Sequence, residues 1–267
     1  MKIGVVTATY NRPELLKRLH DSILETTTTT KWIHVVVDDG SSQDYSDLCH
    51  LIESYSNNFF YIKTNNGGAL VARNYAIDAA VEMGCTHLCF IDDDDLVIGS
   101  GLDSVKNAIL KFPMEQWFMF PSAEHCGVRE WGIDPQQIEW FKDVVIGHRF
   151  QGDNLHAVAT SLVADLRFTL FGRNQREWLF FYRLSMRKKT LTVMPETCLF
   201  KDYQIGGLSH DASKSRVSVE GAVNNIQRAF LYWVRAPLSF KQIINFVRQA
   251  ALFPLRILIV VVKGRFG

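Results

Sequence analysis

Four consecutive aspartates, Asp92, Asp93, Asp94 and Asp95, follow the apolar residues 87–91, and that arrangement is electrostatically costly. Each carboxylate raises the pKa of its neighbours unless a cation relieves the repulsion. A divalent metal is the simplest relief. Mg2+ and Mn2+ are hard ions that prefer oxygen, and they are usually held by one or two carboxylates together with substrate phosphates. In an extended segment Asp92 and Asp94 point the same way, and Asp95 can turn with the chain. A solvated acidic turn, or a cap for a helix from Leu96 onward, would use the same run differently. A second acidic pair, Asp38 and Asp39, closes the apolar residues 32–37 and precedes Gly40, Ser41 and Ser42. Carboxylates placed there can accept hydrogen bonds from the imino N–H of a base or from ribose hydroxyls. An Asp-Gly turn would need only one of the two acids. The stretch 7–12 (TATYNR) adds an aromatic face for a base. It has none of the glycines of a dinucleotide fingerprint, which argues against a nicotinamide enzyme and against a nucleotidyltransferase with a glycine-rich loop after its first strand.

The elements that must position these groups alternate. Residues 3–9 read as a strand, and Pro13 opens a helix carrying Leu15, Leu16, Leu19 and Ile23. After a threonine-rich loop at 26–30, a strand at 32–37 is followed by a helix with Leu48, Leu51, Ile52 and Tyr55. The pattern continues through strand 59–63, the loop Asn65-Asn66-Gly67-Gly68, helix 70–83, strand 87–91, helix 102–110 and strand 117–120. Such alternation with short loops implies right-handed crossovers and an α/β fold, a mostly parallel sheet with helices on both faces. Ligands of such sheets bind beyond the carboxyl ends of the strands, which is where Thr9-Tyr10, Asp38-Asp39 and the four aspartates fall. Past residue 121 the alternation fails. Residues 122–150 read as irregular, 157–163 as a strand, 164–171 as a short helix, 177–187 as a helix with aromatic packing, and 191–200 as a strand.

Length and composition bound the possibilities. A chain of 267 residues suits one large domain or a domain with an appendage, and 47% hydrophobic with 21% charged residues excludes disorder or a fully membrane-embedded body. The five cysteines include no C-x-x-C pair, so reduced thiols are expected. The chain opens on a strand rather than on signal-peptide architecture, which points to a cytoplasmic location. The net charge of +1 conceals an asymmetry: of 29 basic and 28 acidic residues, seven basic and no acidic ones lie beyond Glu220, so residues 1–220 carry 22 against 28, or about −6.

In order and spacing, Thr9-Tyr10-Asn11-Arg12, Val37-Asp38-Asp39-Gly40-Ser41-Ser42, NNGGALVARN at 65–74 and Ile91-Asp92-Asp93-Asp94-Asp95 resemble the N-terminal half of family 2 glycosyltransferases, enzymes with the GT-A fold. The resemblance implies a nucleotide-diphosphate sugar donor. Tyr10 and Asp39 would hold the base, with Thr9 and Asp38 beside them and Arg73 near the base or the diphosphate. Asp92 and Asp94 would be the D-x-D, with Asp92 and Asp93 toward the donor and Asp94 and Asp95 toward Mn2+ or Mg2+. More faintly, residues 153–160 and 168–172 resemble the segment lining the acceptor side, and Gly206-Gly207-Leu208-Ser209 a later glycine pair. Where relatives carry Glu-Asp-Trp this chain has Arg176-Glu177-Trp178, so Glu177 stands at the usual catalytic aspartate. A sugar hydroxyl is a poor nucleophile at neutral pH and needs a carboxylate to take its proton. Glu177 is the candidate base, or else simply a dipole-favoured residue at a helix start. His156 is a second candidate base, a phosphate contact, or a structural histidine. The implied mechanism is a single displacement with inversion.

The organisation expected is a nucleotide-sugar-binding half at 1–120, an acceptor-binding half of the same domain at 121–218, and a basic helical tail at 219–267. Between Phe240 and Lys263 the residues Gln242, Gln249, Arg256 and Lys263 recur every seven positions opposite an apolar face, while Pro254 interrupts the run. Spanning a bilayer takes roughly twenty apolar residues, so an amphipathic helix lying on an anionic membrane surface fits better. Packing on the body or at a dimer seam is the other reading. Membrane binding would favour a lipid-linked acceptor, such as a precursor of a bacterial surface polysaccharide or lipopolysaccharide. No nucleic-acid partner is expected. The rival functions are a non-catalytic nucleotide- or sugar-binding relative and a nucleotidyltransferase.

Overall fold

The computed structural model describes residues 1–124, 127–128, 131–150, 152–169 and 177–202. In chain order these form β1 (Ile3–Thr9), α1 (Pro13–Thr26), β2 (Trp32–Asp38), α2 (Ser46–Tyr55), β3 (Phe59–Lys63), α3 (Ala69–Glu82), β4 (His87–Phe90), β5 (Leu96–Val97), α4 (Gly101–Lys111) and β6 (Trp117–Phe120). There follow β7 (Ser122–Glu124), β8 (Gly127–Val128), β9 (Gln136–Glu139), a π-helical segment (Trp140–Ile146), β10 (Leu155–Ala159), α5 (Thr160–Val163), α6 (Glu177–Arg187), β11 (Thr190–Val193) and β12 (Leu199–Lys201).

The main sheet has the order β3-β2-β1-β4-β10-β6-β11-β9, and a smaller one the order β5-β12-β7-β8. Strands β3, β2, β1 and β4 run parallel, β10 is antiparallel to both β4 and β6, and β11 runs parallel to β6 with β9 antiparallel at the edge. The sheet is therefore mostly parallel, with β10 inserted antiparallel near its middle. Along β1 the side chains alternate between two packed layers. Ile3 and Val5 join Leu19 and Ile23 of α1 and Leu102 and Val105 of α4 in one core. On the other face a Cβ built on Gly4 would lie 3.0 Å from Cys85 and 3.3 Å from Ala80, so α3 closes on the sheet there. Trp117, Phe118, Phe120 and Phe180 are fully buried, each contributing roughly 1.5–3 kcal/mol by area removed from water.

Most expected elements up to residue 120 form within a residue or two of their expected ends. Several later ones differ. The described residues within 122–150 hold β7, β8, β9 and the π-helical segment, the strands being two to four residues long and leaving too little periodicity to read. The strand expected at 157–163 occupies Leu155–Ala159 and turns into α5, so a short helix stands at Thr160–Val163, and the described residues 164–169 are not helical. The single strand expected at 191–200 is two strands in different sheets, β11 and β12, with residues 194–198 between them. The C-terminal tail at 219–267, the Gly206–Ser209 loop and Arg176 lie outside the described residues. Among the described residues no helix is long and apolar enough to cross a membrane.

Candidate active site

Because β1, β2 and β4 are parallel, the loops after Thr9, Asp38 and Phe90 open on one edge of the sheet. The first two are latched together. Asn11, in the left-handed region at φ 55°, accepts at Oδ1 from Ser42 N (2.9 Å), Ser42 Oγ (3.1 Å) and Gln43 N (3.2 Å), while its own N–H donates to Ser41 Oγ at 2.8 Å. The buried Tyr45 hydroxyl accepts from Arg12 N at 2.6 Å and lies 3.2 Å from Thr9 Oγ1. Gly40, at φ 71°, has no room for a side chain, since a Cβ would sit 2.6 Å from the Asn66 backbone nitrogen.

The two acids of this loop face inward. Asp38 is fully buried; Oδ1 accepts from Ser41 N at 2.8 Å and from Ser41 Oγ, and Oδ2 from the Tyr61 hydroxyl at 2.6 Å. Asp39 accepts from Gly67 N at 2.7 Å and from Gly68 N at 2.9–3.0 Å, placing a carboxylate at the N-terminus of α3 where backbone N–H groups and the helix dipole favour it. Asp39, expected to hold a base, and Asp38, expected beside it, both have oxygens engaged by the protein's own loops. Tyr10, 47% exposed, is the residue of this set that offers a free ring.

The aspartate run sits beside this loop pair in a mesh of cations. Thr9 Oγ1 donates to Asp93 at 2.8 Å, and Arg12 reaches Asp93 at 3.1 Å and Asp94 at 3.3 Å. Arg18 donates to the Asp94 carbonyl at 2.8 Å and pairs with Asp202 at 2.7 Å. Arg73, nearly buried, grips Asp92 with one nitrogen and Glu177 with the other, the latter at 3.2 Å. Lys201, equally buried, lies 2.6 Å from Asp95 and 3.5 Å from Asp92. Among the described residues, the carboxylates of Asp92, Asp93, Asp94, Asp95 and Glu177 thus pair with the cations of Arg12, Arg73 and Lys201, so that acids outnumber their partners.

The remaining strain is visible in the ionisation of the run. Burial, with Asp94 and Asp92 adding to it, pushes Asp93 up to about 6. Burial and the same kind of crowding raise Asp94, and push Asp95 up to about 7. Asp92 goes the other way, because Arg73 and Lys201 overcome its burial. Oxygens of Asp92, Asp94 and Asp95 lie within 4.8 Å of one another. Hard oxygen donors in a cluster richer in acids than in cations fit a divalent cation such as Mg2+ or Mn2+. Asp92 at 44% and Asp94 at 17% side-chain exposure are the accessible members, while Asp95 is covered.

Glu177 opens α6 half-exposed and is brought to the cluster by Arg73. His156 is not placed as a base. Its Nδ1 accepts from the Trp117 indole N–H at 3.0 Å, which puts the ring proton on Nε2, and burial holds its pKa down to about 3. The half-buried ring can donate from Nε2, but its one basic nitrogen is occupied. Tyr45, Tyr61, Arg12 and Lys201 escaped expectation. Arg12 stands inside a quoted motif, whereas Lys201 is reached only through strand pairing across two sheets.

An α/β sheet of this order with a D-x-D loop at the carboxyl end of its fourth strand defines a GT-A architecture. Residues 4–112 match the family model described as Glycosyl transferase family 2. The chain is 30% identical over 112 residues to the glycosyltransferase GlyA of Streptococcus pneumoniae, covering 42% of this chain and 15% of that one. It is 28% identical over 108 residues to the poly(ribitol-phosphate) beta-N-acetylglucosaminyltransferase TarP of Staphylococcus aureus, covering 40% and 32%. The chain therefore spans a third or less of these curated relatives. Among solved structures, S. aureus TarS 1–349 in complex with UDP-GlcNAc superposes with TM-score 0.70 at 19% identity, over 93% of this chain and 72% of that one. A second structure of TarS 1–349 gives 0.68 at 16% identity, over 95% and 69%.

Proposed function

We propose that this chain transfers a sugar from a uridine-diphosphate carrier to a hydroxyl of a saccharide or lipid-linked acceptor used in bacterial surface polysaccharide, of the teichoic-acid type. The observation that carries the reading is the Arg73 bridge, which sets the candidate base Glu177 beside the D-x-D loop in a chain whose residues 4–112 match the family 2 model. The likeness to TarP, and to TarS structures solved with UDP-GlcNAc and with UDP, supports the choice of donor. Tyr10, with its exposed ring, would stack on the base, and the loops braced by Asp38 and Asp39 would shape its surroundings.

Asp92 and Asp94, with Asp95 behind them, would hold Mn2+ or Mg2+, which when bound supplies neutralisation of the departing diphosphate. Glu177 takes the proton of the acceptor hydroxyl as its oxygen bonds to the anomeric carbon, and the carbon–oxygen bond to phosphate breaks with its electron pair leaving on the diphosphate. One displacement inverts the anomeric centre and needs no covalent enzyme intermediate. Fixed cations at the edge, Arg12 and Arg73 first, lower the cost of negative charge growing there. The basic tail is proposed to lie on an anionic membrane surface at the cytoplasmic side.

Incubation with UDP-GlcNAc and MnCl2 should release UDP, with turnover abolished in Asp94→Ala and cut at least 100-fold in Glu177→Gln, the scale of general-base loss. Release of pyrophosphate from a nucleoside triphosphate instead would mark a nucleotidyltransferase. Tight binding without turnover for every UDP-sugar and acceptor offered would mark a non-catalytic relative.

A further inference from the structure

The register of the small sheet has a consequence at the aspartate run. Strand β12 pairs antiparallel with β5, Leu199 opposite Val97 and Phe200 opposite Leu96. One more step along that ladder sets Lys201 across from Asp95, and its Nζ closes on Asp95 Oδ2 at 2.6 Å. The parallel partner on the other side, Ser122–Glu124, holds the same register, with Lys201 level with Glu124. A slip of one residue would turn Lys201 to the opposite face, so the pairing is fixed by two strands at once. Both members are covered, Lys201 at 8% and Asp95 at 3% side-chain exposure, whereas Asp92, the second carboxylate Lys201 reaches, stands 44% exposed.

An ammonium in this place does two things to the cation site of the proposed function, on which this inference rests. It occupies one oxygen of Asp95, leaving Asp92 and Asp94 as the accessible ligands. It also removes one negative charge from the environment of any ion bound there. We propose that Lys201 is a positioning residue, an internal counter-ion that keeps the cluster's affinity for a free divalent ion low, so that the metal is held well only when a nucleoside diphosphate completes its shell. Mg2+ and Mn2+ are commonly held by one or two carboxylates plus substrate phosphates, and the geometry here leaves that number free. Coupling of this kind is reciprocal, so the metal must tighten the diphosphate by the same factor that the diphosphate tightens the metal.

The test titrates MnCl2 into the full chain, reading free Mn2+ by its electron paramagnetic resonance signal, first alone and then with saturating UDP. Wild-type protein should bind Mn2+ weakly alone and much more tightly with UDP. Lys201→Gln, which drops the charge and keeps a donor toward Asp95, should bind Mn2+ alone at least about tenfold more tightly, with a smaller gain from UDP. Lys201→Arg should behave as wild type. Melting without metal, followed by circular dichroism, should show Lys201→Gln less stable and rescued by MnCl2 to a greater extent than wild type, a readout that survives partial unfolding. Unchanged or weaker binding of Mn2+ alone by folded Lys201→Gln would overturn the role of Lys201 while leaving the metal site intact. Failure of wild-type protein to bind Mn2+ even with UDP would remove the metal site and this inference with it.

Discussion

A guanidinium that serves two carboxylates with different nitrogens cannot be replaced by an ammonium without loss. Arg73 holds Asp92 on one side and Glu177 on the other, and the planar fork fixes the distance between the D-x-D loop and the start of α6. Lysine keeps the charge but offers one point of contact, so Arg73→Lys should release one of the two acids. Turnover is expected to fall by about 100-fold, as an ångström of misplacement commonly costs that much, with a smaller change in KM for the donor. Turnover within twofold of wild type would show that the bridge does not position Glu177. At this scale the sequence was informative wherever chemistry is local. Four adjacent aspartates announce a need for cations from their spacing alone. The cations themselves come from α1, α3 and β12, and nothing local to Lys201 or Tyr61 marks them as partners of Asp95 and Asp38.

The threonine run at 26–30 shows the same limit among elements. Read as a loop by composition, it is ordered by one side chain 73 to 75 positions away: Asp103 of α4 accepts from Thr28 N at 3.0 Å, Thr28 Oγ1 at 2.9 Å, Thr29 N at 3.1 Å and Thr30 Oγ1. Burial works against its charge, but the hydrogen bonds of Thr30, Thr28 and Thr29 win and hold the carboxyl well below its usual range. Asp103→Ala strands these donors and should cost about 3 kcal/mol, seen as a lower midpoint in urea, because bonds to a charged acceptor contribute about 1.5–3 kcal/mol each and do not add fully. A loss under 0.5 kcal/mol would mean the loop is held by packing alone. The alternating strands and helices up to residue 120 were legible because each strand is a continuous apolar run and each helix a separate period. Strands β7, β8, β9 and β12 were not, since two to four residues carry no period and their pairing is decided by distant partners.

Across the whole molecule, two sets of buried groups pull stability in opposite directions with pH. In the core between α1 and β2, Thr7 Oγ1 donates to the Ile91 carbonyl at 2.9 Å and so accepts from His34 Nε2 at 3.0 Å. His34 Nδ1 then accepts from His20 Nδ1 at 3.2 Å, and His20 Nε2 has no partner among the described residues. Protonating either ring puts charge into a closed apolar space. Burial therefore lowers His34 well below 6.5 and His20 to about 4. Their contribution is complete above about pH 6.5 and is lost as pH falls toward 4, since only the unfolded chain binds the protons in that window. Asp93 has the opposite sign. Burial and its acidic neighbours raise it from 3.8 to about 6, so the folded protein binds the proton more tightly, and this contribution is present below about 3.8 and lost as pH rises through 6. Between about pH 4 and 6 the two slopes offset each other, and metal-free wild-type protein should show a shallow dependence there. Asp94 and Asp95 are raised in the same way, so Asp93→Asn weakens that side of the balance without removing it. In EDTA its unfolding free energy should fall by on the order of 3 kcal/mol more than that of wild type as pH is lowered from 6.5 to 4, the scale of the Asp93 shift. His20→Phe, which leaves only His34 of the pair, should lose less stability than wild type as pH falls from 6.5 to 4. Urea denaturation at half-unit pH steps separates these curves, and an Asp93→Asn profile as flat as wild type would show that Asp93 does not oppose the histidine pair in this window.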